Sequence, residues 1–495
     1  MSSDMQLIQQ IQLHAAERPG AVAIRQVDVP GGCDRQLTWN ELQQRIAATS
    51  QSLRQHLPVG AVVMLCMSNR PEFWVAYFAC LSASLTVFPI ATDMVQAEFE
   101  TAAARGGVAA VVLEQPGRLR PEGMFPRQVD VPSLGGQLAV LAAMNPPATQ
   151  PGAGLMLASS GTTGHPKTVW RSGRALDAVA SNMVQAIGFS PADRVITGVP
   201  LCHSYGGEHG VLAPAWGGST VHVCSGIDLA ILSRELRGGA TILPGVPFLF
   251  DIMAQTAGDI GSLAHLHHVF SAGAPLPAQV RDAFTRRFGK PIGQIYGATE
   301  FGTVTFNDPA QEGFDPGSVG PGLRGVSILI LDADSPDVAR PLPVGIEGQI
   351  AVRAPSMLSH VVGQDDDPFH DGYVLSGDLG KLDSRGALTV TGRLRLLIDV
   401  GGRKVNPIEV EQTLAAHPAV ADCVIVRVVV SQTVNRLKAI VTLRDPSSPF
   451  SPELLREFAR QRLSAYKIPR LVEVRSALPR TPLGKVLRHL LETEQ

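Results

Sequence analysis

Apolar and polar positions along this chain change period in a regular order. In "LTWNELQQRIAATSQSLRQHL" the apolar residues fall at helical spacing, with Thr38 placed to cap the start. "AVVMLCM" is an unbroken apolar run of strand length. Phe73–Ile90 approaches membrane-spanning length, but Ser82, Ser84, Thr86 and Pro89 interrupt its second half. A buried helix followed by a buried strand is the reading there. "GVAAVVLE" adds a strand, and the pattern restarts at "DRVITGVPL", "STVHVC", "ATILPGVP" and "HHVFSAG". This β/α alternation predicts largely parallel sheets flanked by helices.

From about Val319 to Val390 strands dominate ("VSILILD", "EGQIAVRA", "GALTVTG") and predict a smaller β unit. Beyond "TGRLRLL" come a helix opening near Pro407, two strands ("DCVIVRVVV", "KAIVTLRD") and a helix capped by Ser451. These form a compact α+β unit. The expected fold is α/β, with a large N-terminal domain of layered β/α sheets plus the small β unit over residues 1–394, and a small α+β domain over 395–495.

Length and composition narrow the class. At 495 residues and 45% hydrophobic content the chain is too long for one ordinary domain. Its 42 basic and 44 acidic side chains leave a net charge of −2, without the basic excess of a nucleic-acid binder. Six cysteines lack any CxxC pairing, which points to reduced thiols rather than disulfides or zinc. The N-terminus lacks the basic-then-apolar pattern of a secretory signal. A cytoplasmic protein without a membrane span is expected.

The chemistry begins at "LASSGTTGHPKTVW", Leu157–Trp170. Gly161 and Gly164 allow backbone N–H groups to turn toward an anion. Ser159, Ser160, Thr162 and Thr163 add hydroxyls, and Lys167 adds a charge. A Walker loop needs glycine directly before its lysine; here Pro166 stands there and has no N–H to offer. Taken alone, the cluster reads equally as a plain turn.

"SSGTTGHPK" resembles the phosphate loop of the adenylate-forming superfamily, which includes acyl- and aryl-CoA synthetases. Further motifs follow in the family's order. "PLCHSYGG" is similar to the segment entering the carboxylate pocket, which makes His203 a wall or positioner for the acid. "SAGAPLP" resembles the adenine segment, with Gly273, Ala274 and Pro275 offering backbone and a flat surface. "QIYGATEFG" resembles the Tyr-Gly-x-Thr-Glu signature. There the resemblance implies that Tyr296 stacks on adenine beside Gly297, Thr299 donates to the α-phosphate and Glu300 holds Mg²⁺. Without the family pattern, Thr299–Glu300 would pass as a helix start. "GYVLSGDLG" resembles the ribose segment, with Asp378 on the ribose hydroxyls; alone it would be a hairpin-turn aspartate.

"GRLRLLIDVGGRK" is similar to the hinge, with Arg393 toward ribose or phosphate. Arg395 falls at the hinge position, where the family has Asp or Lys, and Leu396 replaces an acidic residue. Gly401 and Gly402 would line a thiol channel. "PRTPLGKVLR" resembles the C-terminal lysine motif and makes Lys485 the catalytic lysine of a mobile domain. The resemblance implies ATP, Mg²⁺ and coenzyme A as cofactors, or a carrier-protein phosphopantetheine in place of coenzyme A. The implied partners are a small carboxylic acid and, in that alternative, an acyl carrier protein, in a monomer or homodimer. A catalytically silent nucleotide-binding regulator is the other class. For the acid, Tyr205, Val246, Phe248, Phe301 and Val304 suggest a mostly apolar pocket for an aryl or medium acyl group. Glu208 reads either as a ligand for an amine on the acid or as a salt-bridged residue.

Overall fold

A computed structural model describes residues 5–28, 35–94, 96–114, 119–135, 138–145, 147, 149–158, 167–364, 367–396, 398–400, 403–431, 434–447, 449–463, 465–481 and 486–492. The predicted elements are present. Trp39–His56 is a helix that opens on a capping box, in which the Thr38 hydroxyl accepts from Glu41 N and the Glu41 carboxylate accepts from Thr38 N. The long apolar run divides into the helix Pro71–Ser82 and the strand Thr86–Ile90. Ser84 takes a positive φ of 60° in the turn between them. Among the described residues, no helix is long and apolar enough to cross a membrane.

Two eight-stranded sheets form the layers of the larger part. One carries the strands Arg194–Thr197, Thr220–Val223, Ile242–Gly245, His268–Ser271 and Gly293–Ala298 in parallel, with antiparallel strands at its edges. The other has a parallel centre at Val62–Cys66, Thr86–Ile90 and Val108–Glu114, joined by the antiparallel pair Gly154–Ala158 and Thr168–Ser172. The antiparallel borders depart from a purely parallel reading. They arise where a short loop, rather than a helix, joins neighbouring strands. Helix Pro71–Ser82 is buried along nearly its whole length in the core between the sheets, which accounts for its lack of a polar face.

A five-stranded antiparallel sheet spans Gly320 to Arg393. From Ile398 onward the strands pair among themselves in two smaller sheets. That part has its own apolar core around Val410, Leu414, Ile425, Leu437 and Leu455. It touches the larger part where Gln279 donates to Ala415 O and Asn406 donates to Thr391 O. Asn406 and Ser451 each cap the helix that follows, Pro407–Ala415 and Pro452–Arg460.

Thr38→Ala removes the reciprocal cap while leaving the core untouched. It should destabilise the larger part by about 1 kcal/mol, read as a shifted chemical-denaturation midpoint with unchanged slope.

Candidate active site

The strands Ile242–Gly245, His268–Ser271 and Gly293–Ala298 run parallel, so their carboxyl ends share one edge. In such sheets that edge is where ligands gather. Gly273, Ala274 and Pro275 follow the second strand as an exposed ridge, with Gly273 at φ +83°. Tyr296, Gly297 and Ala298 end the third. The chain then turns through Thr299, Glu300 and Phe301 into the antiparallel strand Gly302–Asn307. The Thr-Glu pair is therefore a hairpin tip, not a helix start. The tip is held from outside, since Leu358 N donates to Glu300 O at 2.7 Å and Ser356 Oγ donates to Phe301 O at 2.7 Å.

Asp378 and Arg393 face each other across adjacent antiparallel strands, Val374–Leu382 and Ala387–Arg393. Arg393 Nε donates to Asp378 Oδ1 at 2.6 Å, and the Tyr296 hydroxyl donates to Asp378 Oδ2 at 2.8 Å. Asp378 is buried. Burial, and then the charge of Asp378, push the Tyr296 phenol well above its ordinary range, so it stays a neutral donor. A carboxylate has about four lone-pair sites, so Asp378 keeps acceptor capacity beyond these two bonds. Three residues far apart in sequence thus meet at one carboxylate.

His203 precedes the short helix Ser204–Gly207, which runs on as a π-turn over Glu208–Leu212. The glycines set this path. A methyl group on Gly206 would fall 2.0 Å from Pro200 O, and one on Gly210 would fall 2.6 Å from Leu201 Cδ2. Trp74 Nε1 donates to Gly210 O at 3.0 Å. His203 is exposed by area but enclosed by enough protein that burial lowers its imidazole pKa, against the opposing charge of Asp93. It forms the wall of a cleft and is neutral near pH 7.

Beneath the cleft lies a buried ion pair that sequence reasoning missed. Arg171, in the strand Thr168–Ser172, is fully buried; its Nη1 donates to Glu208 Oε1 at 2.7 Å and its Nε to Ser356 O at 2.9 Å. Thr303 N donates to Glu208 Oε2 at 2.8 Å. Gly302 sits against the pair, where a methyl group would come within 2.5 Å of Arg171 Nη2 and 2.6 Å of Glu208 Oε1. One pair therefore joins the strand leaving the phosphate loop, the π-turn after His203, the hairpin bearing Thr299 and Glu300, and the Ser356 loop. The available signal was a lone arginine in "TVWRS" and a lone glutamate in the otherwise uncharged "SYGGEHGVLAPAW". Of the two readings of Glu208, the structure has the salt-bridged one.

His209, next to Glu208, is 1% exposed. Its Nδ1 lies 2.9 Å from Tyr205 O. A carbonyl can only accept, so Nδ1 carries the proton and Nε2 is a bare lone pair. That Nε2 is buried without a hydrogen-bond partner. Burial pushes the imidazole down to about 4, against the Tyr205 hydrogen bond and the Glu208 charge, which act the other way.

Lys167 is exposed just before the strand Thr168–Ser172. Arg395 lies in the single turn Leu394–Leu396. Ser159, Ser160, Gly161, Thr162, Thr163, Gly164, Gly401, Gly402 and Lys485 lie outside the described residues. Among those described, no group of three or more His, Cys, Asp or Glu side chains could hold a metal ion. That fits a Mg²⁺ held by one carboxylate such as Glu300 together with phosphate oxygens.

Residues 11–360 match the family described as AMP-binding enzyme, and residues 409–485 match the AMP-binding enzyme C-terminal domain. The chain is 26% identical to 4-coumarate–CoA ligase 1 of Oryza sativa subsp. japonica, covering 97% of this chain and 91% of that protein. It is 27% identical to 3-hydroxybenzoate–CoA/4-hydroxybenzoate–CoA ligase of Thauera aromatica, covering 92% of each. The structure of ATP-bound MatB from Rhodopseudomonas palustris superposes with a TM-score of 0.86 at 23% identity, covering 100% of this chain and 99% of the other, and shares its fold. The chain belongs to the AMP-binding enzyme family within the adenylate-forming superfamily.

Breaking the ion pair from one side should be costly. Arg171→Met or Glu208→Leu alone should lose about 3–5 kcal/mol of stability, and the double variant should recover most of it. Denaturant titration of all four forms measures this coupling. A second expectation concerns pH. The unfolded chain protonates His209 near its ordinary 6.5, whereas the folded chain resists down to about 4. Folding therefore loses stability as pH falls through that window. His209→Phe should lose less stability than the native chain between pH 6.5 and pH 4, read from denaturation midpoints.

Proposed function

We propose that this AMP-binding enzyme is an acid–thiol ligase that activates an aryl carboxylic acid with ATP and passes the acyl group to coenzyme A. The observation that carries the reading is the cluster at the sheet edge. Tyr296, Asp378 and Arg393 meet at one carboxylate, on strands adjoining the Thr299–Glu300 hairpin tip and the Gly273–Pro275 ridge. This arrangement offers acceptors for ribose, a flat bed for adenine, and a hydroxyl and a carboxylate placed toward phosphates. The resemblance to ligases named for 4-coumarate and for hydroxybenzoates supports an aryl acid.

Two half-reactions follow. A carboxylate oxygen of the acid bonds to the α-phosphorus of ATP, and the bond from that phosphorus to the β-bridging oxygen breaks, releasing pyrophosphate. The acid is already ionised near neutral pH and needs no base. His203, neutral in its cleft wall, orients the acid. Thr299 donates to the α-phosphoryl oxygens, and the Ser159–Lys167 loop clasps the departing pyrophosphate. Lys485 offsets charge between carboxylate and phosphate. Glu300 would hold Mg²⁺, which supplies charge neutralisation on the phosphates. In the second half-reaction the thiol sulfur bonds to the acyl carbon and AMP leaves with the bonding electrons. Gly401 and Gly402 leave room for the pantetheine arm. The two steps need different groups at one place, so residues 395–495 turn about Arg395 between them.

Carboxylate-dependent exchange of pyrophosphate into ATP across a panel of aryl and acyl acids tests the first step, and repeating it with coenzyme A or a holo carrier protein identifies the acceptor. Lys485→Ala should abolish exchange yet still convert a supplied acyl-adenylate to thioester. Equal loss of both steps would count against the turning domain.

A further inference from the structure

We infer that His209 is the specificity-determining residue of the acid pocket, and that it selects acids carrying a hydrogen-bond donor, such as a ring hydroxyl, at the end remote from the carboxylate. The inference rests on the ligase reading above and adds the chemistry of the acid's far end.

The first support is the orphaned nitrogen. Buried polar atoms are nearly always paired, and an unpaired acceptor carries the full cost of its lost water. His209 Nε2 has no partner, and its tautomer is fixed by the Nδ1 bond to Tyr205 O. It can therefore accept a hydrogen bond but not donate one. No local rearrangement relieves it, because the ring is held on two sides by aromatic neighbours. Its centroid lies 4.6 Å from the Tyr205 ring and 5.0 Å from the Phe270 ring. The Tyr205 hydroxyl is itself committed, donating to Gly245 O at 2.9 Å.

The second support is position. Phe270 belongs to the strand that ends at the Gly273–Pro275 ridge, and Glu208, one residue before His209, is bonded to the Thr299–Glu300 hairpin through Thr303 N. His209 therefore lies between the two elements that frame the cleft. It follows His203 by six positions, an axial rise of about 9 Å for helical residues. That is the reach of one aromatic ring with a short arm. A carboxylate beside His203 would bring the far end of an aryl acid toward His209, past the apolar ring of Tyr205. The π-turn supports the same reading, because a widened turn inside a helix commonly marks a functional site.

A donor on the acid converts the orphan into a paired group, whereas an acid with hydrogen in its place leaves it unpaired. Sites built to bond a substrate hydroxyl reject the analogue that lacks it. The same pocket disfavours an acid with a second carboxylate there, since two acceptors would meet.

The test is pyrophosphate exchange with matched pairs, 4-hydroxybenzoate against benzoate and 4-coumarate against cinnamate, using the full-length native chain and two variants. The native chain should favour the hydroxylated member about tenfold or more in kcat/KM, mainly through KM. His209→Phe keeps an aromatic ring and removes the acceptor. It should erase the preference by losing activity on the hydroxylated acid while turnover of the plain acid holds or rises, which also shows that it is folded. His209→Gln, whose amide oxygen can stand near Nε2, should restore part of the preference. Equal use of both members by the native chain, or an unchanged preference in His209→Phe, overturns the inference while leaving the ligase reading intact. Absence of exchange with every aryl acid overturns the ligase reading, and the inference with it.

Discussion

The buried Arg171–Glu208 pair is the constraint on which the site depends. A charge taken out of water is tolerated only when its partner and its remaining hydrogen bonds are supplied by the fold. Here the partners come from separate segments, a strand of one sheet, the π-turn, the edge hairpin of the other sheet and the Ser356 loop. None of these segments can drift without leaving a buried charge unpaired. The hairpin tip and the cleft wall are thereby held at fixed separation before any ligand arrives. Preorganised donors stabilise developing charge without the cost of reorienting during reaction.

Most of the fold was legible because burial leaves a period in the sequence. The runs around Val62, Val108, Ile242 and Val269 are strands, and the helix Pro71–Ser82 was recognisable from length and its following polar breaks. The two short antiparallel borders were not read, since strands of five residues joined by a brief loop carry neither alternation nor a helical period long enough to register. The Thr299–Glu300 tip was open between helix start and loop for the same reason. Its hairpin geometry comes from Gly297 and Gly302, where a methyl group on Gly297 would fall 2.6 Å from Gly302 O.

The site divides along a similar line. Asp378, Tyr296 and Arg393 were named from motif resemblance, and the structure brings them into direct contact. Arg171 escaped because a charged side chain in a short strand ordinarily faces solvent, and one sequence gives no partner for it. Glu208 and His209 are neighbours in the same turn with opposite fates. One is fully bonded into the scaffold, and the other keeps a free lone pair. This division lets the framework stay rigid while an adjacent position sets selectivity.

Arg393 ends its strand and adjoins the turn Leu394–Leu396, and its guanidinium is bound to the carboxylate that a nucleotide ribose would engage. The anchor of the last part of the chain and the receptor for the nucleotide therefore share one contact. Whatever draws on Asp378 alters the grip on the first link of the swivel. By linkage, the orientation of the trailing part must alter nucleotide affinity to the same degree. The bond works as a joint that registers its own load, so release of product and resetting of the domain become parts of a single equilibrium.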